Sequence, residues 1–502
     1  MTRWVLGDAL TRRHIREGER VLMVEAHGFA RRKPYHPHKL TLVFSAMRHF
    51  RDELREDGHE VDYYRCETFG EGLDAHFDAR PEDTLTLMEP ASTDTDRLRE
   101  LVESRGGSLE VAETALFLCD DELWSDYADD RDPPYRHEEF YRSMRRETGY
   151  LMENGDPVGG EWNYDEENRE FPGEAYDPPD PPRYEPDALT EEVESWVREE
   201  FSGSYEENGG DWAAPETFIW PVTREQALDA LDRFCEDRLA EFGPYQDAML
   251  DREWALNHSL LSSSLNLGLL HPDEVVETVI DAAAEQDAPL NSVEGFVRQV
   301  IGWREFTRRV YAETDGLADA NQLDQTEPLP ELFWTGETDM ACLSDVIDGV
   351  RKRGYSHHIE RLMILSNFAL IYGVDPGELN EWFHAGYVDA YHWVTTPNVV
   401  EMGSFGAGVF ATKPYAASAN YVNKMSDYCS GCPYYHTKAS GEGSCPFNAL
   451  YWDFLARNEE KLRSNHRMGL VYSHLDDKRG EKLDAIRERA AEVRTMAEDG
   501  TL

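Results

Sequence analysis

The first 125 residues alternate short apolar runs with helical patterns, and this alternation restricts the possible folds more than any other feature of the sequence. The runs at 4–8, 20–26, 61–65 and 84–89 predict strands. Between the second and third runs, apolar residues recur at helical spacing. Strands that alternate with helices form a parallel sheet with right-handed crossovers. The sequence therefore predicts an N-terminal α/β domain with a Rossmann-like parallel sheet.

Carboxylates end the first two predicted strands. Asp8 closes the first run and Glu25 lies at the end of the second. Ligands of such sheets bind beyond the carboxyl ends of the strands, so both residues are candidates for a pocket. No GxGxxG follows the first strand, and a dinucleotide fingerprint is therefore absent.

The remainder of the chain divides into a connector and a helical part. Residues 126–190 are rich in proline and glycine and have weak periodicity, which indicates a long interdomain connection. From residue 191 the pattern is helical, with clear stretches at 273–287, 292–311, 342–353, 357–372, 446–460 and 480–497. The predicted organisation is an α/β domain (1–125), a connector (126–190) and an all-helical domain (191–502).

The net charge is extreme: the sequence contains 100 acidic and 50 basic residues, so the formal net charge is -50. Such a chain repels itself in dilute buffer, whereas molar salt shortens the Debye length to about 3 Å. The acids are spread along the whole chain, so we expect a halophilic protein from a salt-saturated cytoplasm. The alternative is an acidic scaffold for basic partners, which a confined acidic tail would have favoured.

The sequence contains no run of 18 apolar residues that could span a membrane. Its first residues lack the apolar core and cleavage site of a signal peptide. We therefore expect a soluble cytoplasmic protein with no membrane partner.

Four of the seven cysteines form a ligand pattern, Cys429-x2-Cys432-x12-Cys445 with Cys342 upstream. Four thiolates can bind Zn²⁺ or hold an iron–sulfur cluster. The aromatic residues around them favour a cluster, because they limit access of water. Zinc and a chance pairing of structural thiols remain alternatives, since spacing alone does not identify the metal. The other three are expected to be structural: Cys66, Cys119 and Cys235.

Hydroxyl side chains are concentrated in the segment from His258 to Pro272. Hydroxyls and backbone N–H groups at a helix start can bind an anion. An ordinary serine N-cap is the alternative. The candidate ligands are His258, Ser259, Ser262, Ser263, Ser264 and Asn266.

Three further segments combine polar and aromatic groups. Gln299 and Trp303 stand one turn apart on a predicted helix, although a core tryptophan is the plainer interpretation. His357 and His358 begin another helix, with Arg361 on the face of His358, and surface histidines are the alternative there. The third segment contains Asp389, Tyr391 and Asn398.

Taken in order, these segments resemble the photolyase/cryptochrome family. HSLLSSSLNLGLLHP is similar to its flavin-phosphate loop, WREF to its lesion-facing helix, and GYSHHIERLM to a flavin-flanking segment. The four cysteines narrow the resemblance to the prokaryotic iron–sulfur branch, which contains bacterial and archaeal (6-4) photolyases and related cryptochromes. The usual second carboxylate of Asp-x-Asp is replaced by Tyr391, which fits this branch.

The resemblance implies three cofactors: FAD, a [4Fe–4S] cluster and a 6,7-dimethyl-8-ribityllumazine antenna. The cluster would be held by Cys342, Cys429, Cys432 and Cys445, and the antenna would lie near Asp8 and Glu25. Arg361 would pair with Asp389 beside the flavin. The implied FAD contacts are Tyr245, His258, Ser259, Ser262, Ser263, Ser264, Asn266, Gln299, Trp303, Arg361, Asp389, Tyr391 and Asn398.

The implied activity is light-dependent repair of (6-4) photoproducts in UV-damaged DNA, with the lesion flipped out of the duplex. His358 would donate a proton to the lesion, with His357 as its partner. Electrons would reach the flavin through Trp382, Trp334 and Tyr391. We expect a monomer whose phosphate contacts come from local cations, among them Arg145, Arg146, Arg304, Arg308, Arg309 and Lys424.

The sequence is also compatible with two other function classes. A cryptochrome photoreceptor would share the flavin, antenna and cluster, and would signal through a partner instead of repairing DNA. A zinc-binding nucleic-acid protein without flavin would lack flavin colour after purification.

Overall fold

The computed structural model describes residues 1–129, 131–173, 175–207 and 212–502, without the side chains of 202–207. Residues 130 and 174 of the predicted connector, and residues 208–211, lie outside the described residues.

Five parallel strands form one N-terminal sheet: β1 (Thr2–Val5), β2 (Arg20–Ala26), β3 (Val61–Cys66), β4 (Thr84–Met88) and β5 (Ser108–Ala112). Their order is β3-β2-β1-β4-β5, and Thr2 of β1 pairs with Arg20 on one side and Leu85 on the other. The predicted fold class is confirmed. Because the strand order reverses beside β1, the crevice beyond β1 and β4 is the switch point at which such sheets bind ligands.

Alternate residues of β2 pack on opposite faces of the sheet. Val21 and Met23 belong to the core cluster that contains the helix Pro37–Glu56. Leu22 and Val24 pack with the helices Phe69–Ala79 and Thr95–Glu103. Both faces of the sheet are therefore covered by helices, as the apolar composition of its strands requires.

The connector has regular structure of its own. It contains the helix His137–Thr148 and a short hairpin of β6 (Met152–Glu153) and β7 (Asp156–Pro157). The next helix, Ala188–Glu207, packs against Pro37–Glu56, with Trp196 contacting Phe44 edge to face at 5.2 Å. The start of the predicted helical domain is thus attached to the sheet domain.

Helices account for nearly all regular structure after the connector, as the sequence predicts. The α-helices in the described part of the chain are His27–Ala30, Pro37–Glu56, Phe69–Ala79, Thr95–Glu103, Asp121–Ala128, His137–Thr148, Ala188–Glu207, Arg224–Asp237, Leu239–Tyr245, Ser262–Leu267, Pro272–Gln286, Leu290–Val297, Glu305–Glu313, Leu332–Thr335, Ala341–Arg353, Asn367–Tyr372, Pro376–Gly386, His392–Thr396, Ala419–Met425, Tyr428–Gly431, Pro446–Arg457, Glu459–Leu462, Gly469–Asp476 and Glu481–Glu498. Short 3₁₀ turns occur at Arg12–His14, Val158–Gly160, Asp165–Glu167, Leu317–Asp319 and His466–Met468.

Three segments within these helical runs are π-helical: Arg298–Arg304, Glu360–Ser366 and Pro397–Gly403. Each carries predicted site residues. A π-helical turn holds one more residue than an α-helical turn, and such turns occur frequently at functional sites. The three segments therefore mark the region of the helical domain in which a site is expected.

None of the helices in the described ranges is both long enough and apolar enough to cross a membrane.

Candidate functional site

An ion pair between Arg361 and Asp389 lies at the centre of the predicted site. The two guanidinium nitrogens donate to Oδ1 and Oδ2 of Asp389, each at 3.0 Å. The Ser262 hydroxyl donates a third bond to Oδ2 at 2.7 Å. Burial alone would raise the pKa of Asp389, but Arg361 and Ser262 hold it below its usual value. The structure therefore keeps this carboxylate ionised and fixed in orientation.

The serines that follow Ser262 offer unused hydrogen-bonding groups. Ser263 and Ser264 are buried, and within the described structure their hydroxyls have no hydrogen-bond partner. Asn266 donates its amide to the backbone oxygen of Asp389 at 2.9 Å, which ties this short helix to the ion pair. Buried hydroxyls normally find partners, so these two fit the oxygen atoms of a bound polar group.

Two of the π-helical segments meet through candidate residues. Trp303 donates its indole N–H to Oδ1 of Asn398 at 2.8 Å, and Gln299 lies one turn before it, half-buried. His137 of the connector packs edge to face against Trp303 at 4.7 Å. No periodic signal in the sequence links the connector to this helix. Tyr245 lies apart from this group and packs on Tyr176 at 5.1 Å.

Three histidines form a compact group. His258, which we predicted beside the anion, instead stacks on His357 with ring centroids 4.6 Å apart. Its ring also meets that of His358 at 5.2 Å. Ser259, next in the chain, accepts a local bond from the backbone of Leu261. His258 therefore joins the histidines rather than the serine hydroxyls.

The neighbouring histidines face different surroundings. His357 is fully buried, with its Nε2 3.2 Å from Oε1 of Glu360. The side chain of His358 is 47% exposed, and its Nε2 lies 3.3 Å from Oδ1 of Asp247. Only His358 of this pair is thus open to a molecule arriving from solvent.

The two predicted antenna residues are in different environments. Asp8 lines a cavity at the switch point of the sheet, together with Phe117, Asn266 and Trp393. Burial raises the pKa of Asp8. This cavity lies between the sheet and the helical domain.

Glu25, by contrast, is enclosed by its own partners. Arg48 donates to both carboxylate oxygens at 3.0 and 2.8 Å, and Arg65, His27 and Tyr63 also bond to them. Burial would raise the pKa of Glu25, but these bonds lower it to about 2. A ligand contact at Glu25 would have to displace one of these groups.

Four arginines that we predicted as phosphate contacts are buried, and that prediction is wrong. Arg304 donates to the Leu116 carbonyl, and its guanidinium lies 4.2 Å from the Phe117 ring centre. The others pair with buried or interdomain oxygens: Arg145 with Trp162 and Leu151, Arg308 with Glu89, and Arg309 with Asp121 and the Cys119 carbonyl. These side chains join parts of the protein to one another.

The predicted electron-transfer residues lie in separate aromatic groups. Trp382 is 1% exposed and packs edge to face on Phe333 and Tyr387, and Tyr387 lies beneath Arg361 at 4.2 Å. Trp334 packs on Trp212 at 5.5 Å. Tyr391 lies below Lys39 instead. The ring contacts thus connect Trp382 to the ion pair through Tyr387, which we had not predicted.

The four predicted cysteine ligands line one cavity, with Tyr428, Tyr434 and Phe447 around them. All four are free thiols. Among the residues that the structure describes, the histidine group is the one set of three metal-binding side chains whose ligand atoms all lie within 4.8 Å. Thiolates gathered in one cavity are suited to binding Zn²⁺ or an iron–sulfur cluster.

Comparison with known proteins agrees with these features. The profile of the family described as deoxyribodipyrimidine photo-lyase-related protein matches residues 3–210. A (6-4) photolyase of Agrobacterium fabrum is 42% identical over 453 residues, which cover 88% of this chain and 87% of that protein.

Two solved structures share the fold. A class III photolyase of Agrobacterium tumefaciens has a TM-score of 0.60 at 15% identity, covering 99% of this chain and 97% of that one. A cryptochrome of Synechocystis has a TM-score of 0.59 at 13% identity, covering 85% and 86%. The identity and coverage of the Agrobacterium fabrum relative show that this chain belongs to the photolyase/cryptochrome family, in its branch related to (6-4) photolyases.

Proposed function

We propose that this protein repairs (6-4) photoproducts in UV-damaged DNA in a light-dependent reaction. The observation that carries the proposal is a histidine group that is open to solvent at His358, which lies just before the π-helical segment that carries Arg361. The 42% identical relative is named a (6-4) photolyase, and this name supports the (6-4) photoproduct as the lesion that this protein repairs. Bound FAD, the cofactor of this family, would supply the photoexcited electron.

Residues of this chain would hold and orient the flavin. The unpartnered hydroxyls of Ser263 and Ser264 fit oxygen atoms of its phosphates. Arg361 and Asp389, joined at 3.0 Å, would flank the isoalloxazine ring, and Trp303 with Asn398 would close another side of the site. Because most of these groups are already fixed by bonds to one another, binding would require little reorganisation.

His358 would deliver a proton to the lesion. Repair moves an oxygen substituent between two bases, so electron transfer alone does not complete it. The exposed imidazole can contact a flipped-out base, and Asp247 at 3.3 Å orients the ring. His357 is fully buried and would act by packing against His358 and His258.

DNA binding by so acidic a chain requires exposed local cations. With the buried arginines excluded, Arg146 and Lys424 remain exposed among the predicted contacts. Phosphate contacts need such local charges rather than a positive net charge. Insertion of the lesion into the site would then contribute much of the affinity.

The four cysteines would hold a [4Fe–4S] cluster. Cys342 lies in the first turn of the helix Ala341–Arg353, and Cys445 precedes the helix Pro446–Arg457, so the cluster would tie these helices together. We propose a structural role for it.

The antenna would bind in the cavity beside Asp8. A ribityllumazine there would lie between the sheet and the helical domain, close to Asn266 of the flavin site. Asp8→Ala should lower antenna content at unchanged FAD content. Equal antenna content in parent and variant would exclude Asp8 from the antenna site.

The deciding experiment illuminates the FAD-loaded protein with DNA that carries either a (6-4) photoproduct or a cyclobutane dimer, and analyses the products. Restored bases from the (6-4) substrate are expected. If neither lesion is repaired while the flavin still photoreduces, the protein is a cryptochrome-type photoreceptor with the same cofactors.

A further inference from the structure

The histidine group has unused metal-binding capacity. His258 and His357 are 7% and 0% exposed, yet Nε2 of His258 and Nδ1 of His357 make no hydrogen bond within the described structure. Buried imidazole nitrogens without partners are costly. Their ligand atoms and that of His358 all lie within 4.8 Å of one another. The three imidazoles are therefore close enough to share one ion after small side-chain movements.

We propose that His258, His357 and His358 form a binding site for a borderline-soft divalent cation such as Zn²⁺, and that its occupation blocks repair. The donor set identifies the class of ion, because three imidazoles suit Zn²⁺, Co²⁺ or Ni²⁺, whereas Mg²⁺ prefers oxygen ligands. Three histidines with one open position are also a familiar zinc arrangement.

Carboxylates beside two of the rings strengthen the assignment. Asp247 lies 3.3 Å from Nε2 of His358, and Glu360 lies 3.2 Å from Nε2 of His357. Histidines that bind metals usually donate their second ring N–H to a carboxylate, which fixes the ring and raises its basicity. Both histidines could thus bind the ion through Nδ1 while Nε2 faces its carboxylate.

The site needs modest adjustment to close on an ion. Nitrogen ligands around tetrahedral Zn²⁺ lie about 3.4 Å apart, so the rings must approach by roughly an ångström. The exposed side chain of His358 has room for this movement.

The inhibitory effect rests on the proposed repair function, whereas the binding does not. A bound cation would occupy the lone pair of His358 and replace the proton that it delivers. Zn²⁺ should therefore inhibit repair, and a chelator should restore it. Photoreduction of the flavin should be unaffected, since the Arg361–Asp389 pair is not a ligand.

The test is calorimetric titration of Zn²⁺ into the FAD-loaded, cluster-intact protein in molar KCl with excess Mg²⁺, which saturates acidic surface sites. One Zn²⁺ per chain is expected for the parent. His358→Ala and His258→Ala should each weaken binding by at least about 10-fold. The matched control is His474→Ala, an exposed histidine on the helix Gly469–Asp476, which should bind as the parent does.

Flavin and iron contents are measured for every variant, because released cysteines would also bind zinc. If the parent binds no more tightly than His358→Ala, the metal site is refuted, whatever the repair assay shows. If Zn²⁺ binds as expected but the parent repairs no lesion, the site is supported and the proposed repair function fails. Repair that is undiminished with the site saturated refutes the inhibition.

Discussion

Arg361 and Asp389 are joined by two parallel bonds of 3.0 Å, although 28 residues separate them. Ser262 reaches the same carboxylate from a segment 127 residues away from it in sequence. Three distant parts of the chain thus converge on one side chain. A pair held in this way is sensitive to loss of either member, because the remaining charge stays buried.

Asp389→Ala should reduce both flavin content and stability. Loss of one member of a buried pair costs roughly 3–5 kcal/mol. Flavin absorbance per chain and the free energy of unfolding in urea measure the two effects. Asp229→Ala is the control, since Asp229 pairs with Arg233 on the exposed surface and should change neither quantity appreciably. Normal flavin content and photoreduction in Asp389→Ala would remove Asp389 from the flavin site.

His358→Ala should retain its flavin, its cluster and its photoreduction, but lose most repair. Loss of a general acid typically lowers the rate by ~10²–10⁴-fold. The side chain is 47% exposed, so the variant should fold normally. His357→Ala should affect repair less. Product analysis after illumination provides the measurement, and parent-like rates in both variants would show that the proton comes from another group.

The protein should contain about four iron ions and four sulfide ions per chain, bound in the cavity that the four cysteine ligands line. Cys342→Ser should lower both and impair folding, because Cys342 lies on a different helix from the other ligands. Cys66→Ser, outside the cavity, should leave the iron content unchanged. One zinc and no iron in the parent would contradict the cluster.

Glu25 should make the free energy of unfolding decrease as the pH falls below the ordinary pKa of a glutamate. Its pKa is lowered from the ordinary 4.5 to about 2 in the folded protein. The unfolded state therefore binds more protons, and stability is retained above the ordinary pKa and lost as pH falls toward 2. The contribution is roughly 3 kcal/mol.

Urea unfolding at several pH values tests this dependence. Glu25→Gln should flatten the decrease in unfolding free energy between about pH 5 and pH 3, although the variant is less stable at neutral pH. Glu17→Gln, at an exposed position, should keep the parental slope. If the unfolding free energy of Glu25→Gln falls with pH as steeply as that of the parent, other carboxylates determine the acid sensitivity.

The melting temperature should rise with KCl concentration up to the molar range. A net charge of -50 produces repulsion in the folded state that salt screens. Thermal unfolding at increasing KCl measures the effect. A melting temperature that is flat or falls with salt would contradict adaptation to a saline cytoplasm.

Much of the sheet domain could be predicted from sequence because its buried strands are continuous apolar runs. The strand Ser108–Ala112 was missed because Ser108 and Glu110 interrupt its apolar residues. The first strand ends at Val5 rather than at residue 8. Short strands with interspersed polar residues, and strand ends, carry the weakest pattern.

The site was harder to predict, because its contacts join distant segments. Motif order identified Arg361 and Asp389, but the stacking of His258 on His357 crosses nearly a hundred residues and leaves no periodic signal. Arg304 has the sequence context of a surface cation, yet it is buried against Leu116 and Phe117 of the sheet domain. Whether an arginine is exposed depends on the partner surface, which local sequence does not describe.

The π-helical geometry of Arg298–Arg304, Glu360–Ser366 and Pro397–Gly403 has a consequence for how this protein can evolve. Deleting one residue from such a segment would restore regular α-helical turns and improve local hydrogen bonding. It would also move the residues within the segment relative to the helical turns on either side of it. Trp303 and Asn398 would then no longer face each other. Lineages that retain the cofactor site should conserve the length of these segments even where their residues vary, whereas lineages that have lost it are free to shorten them.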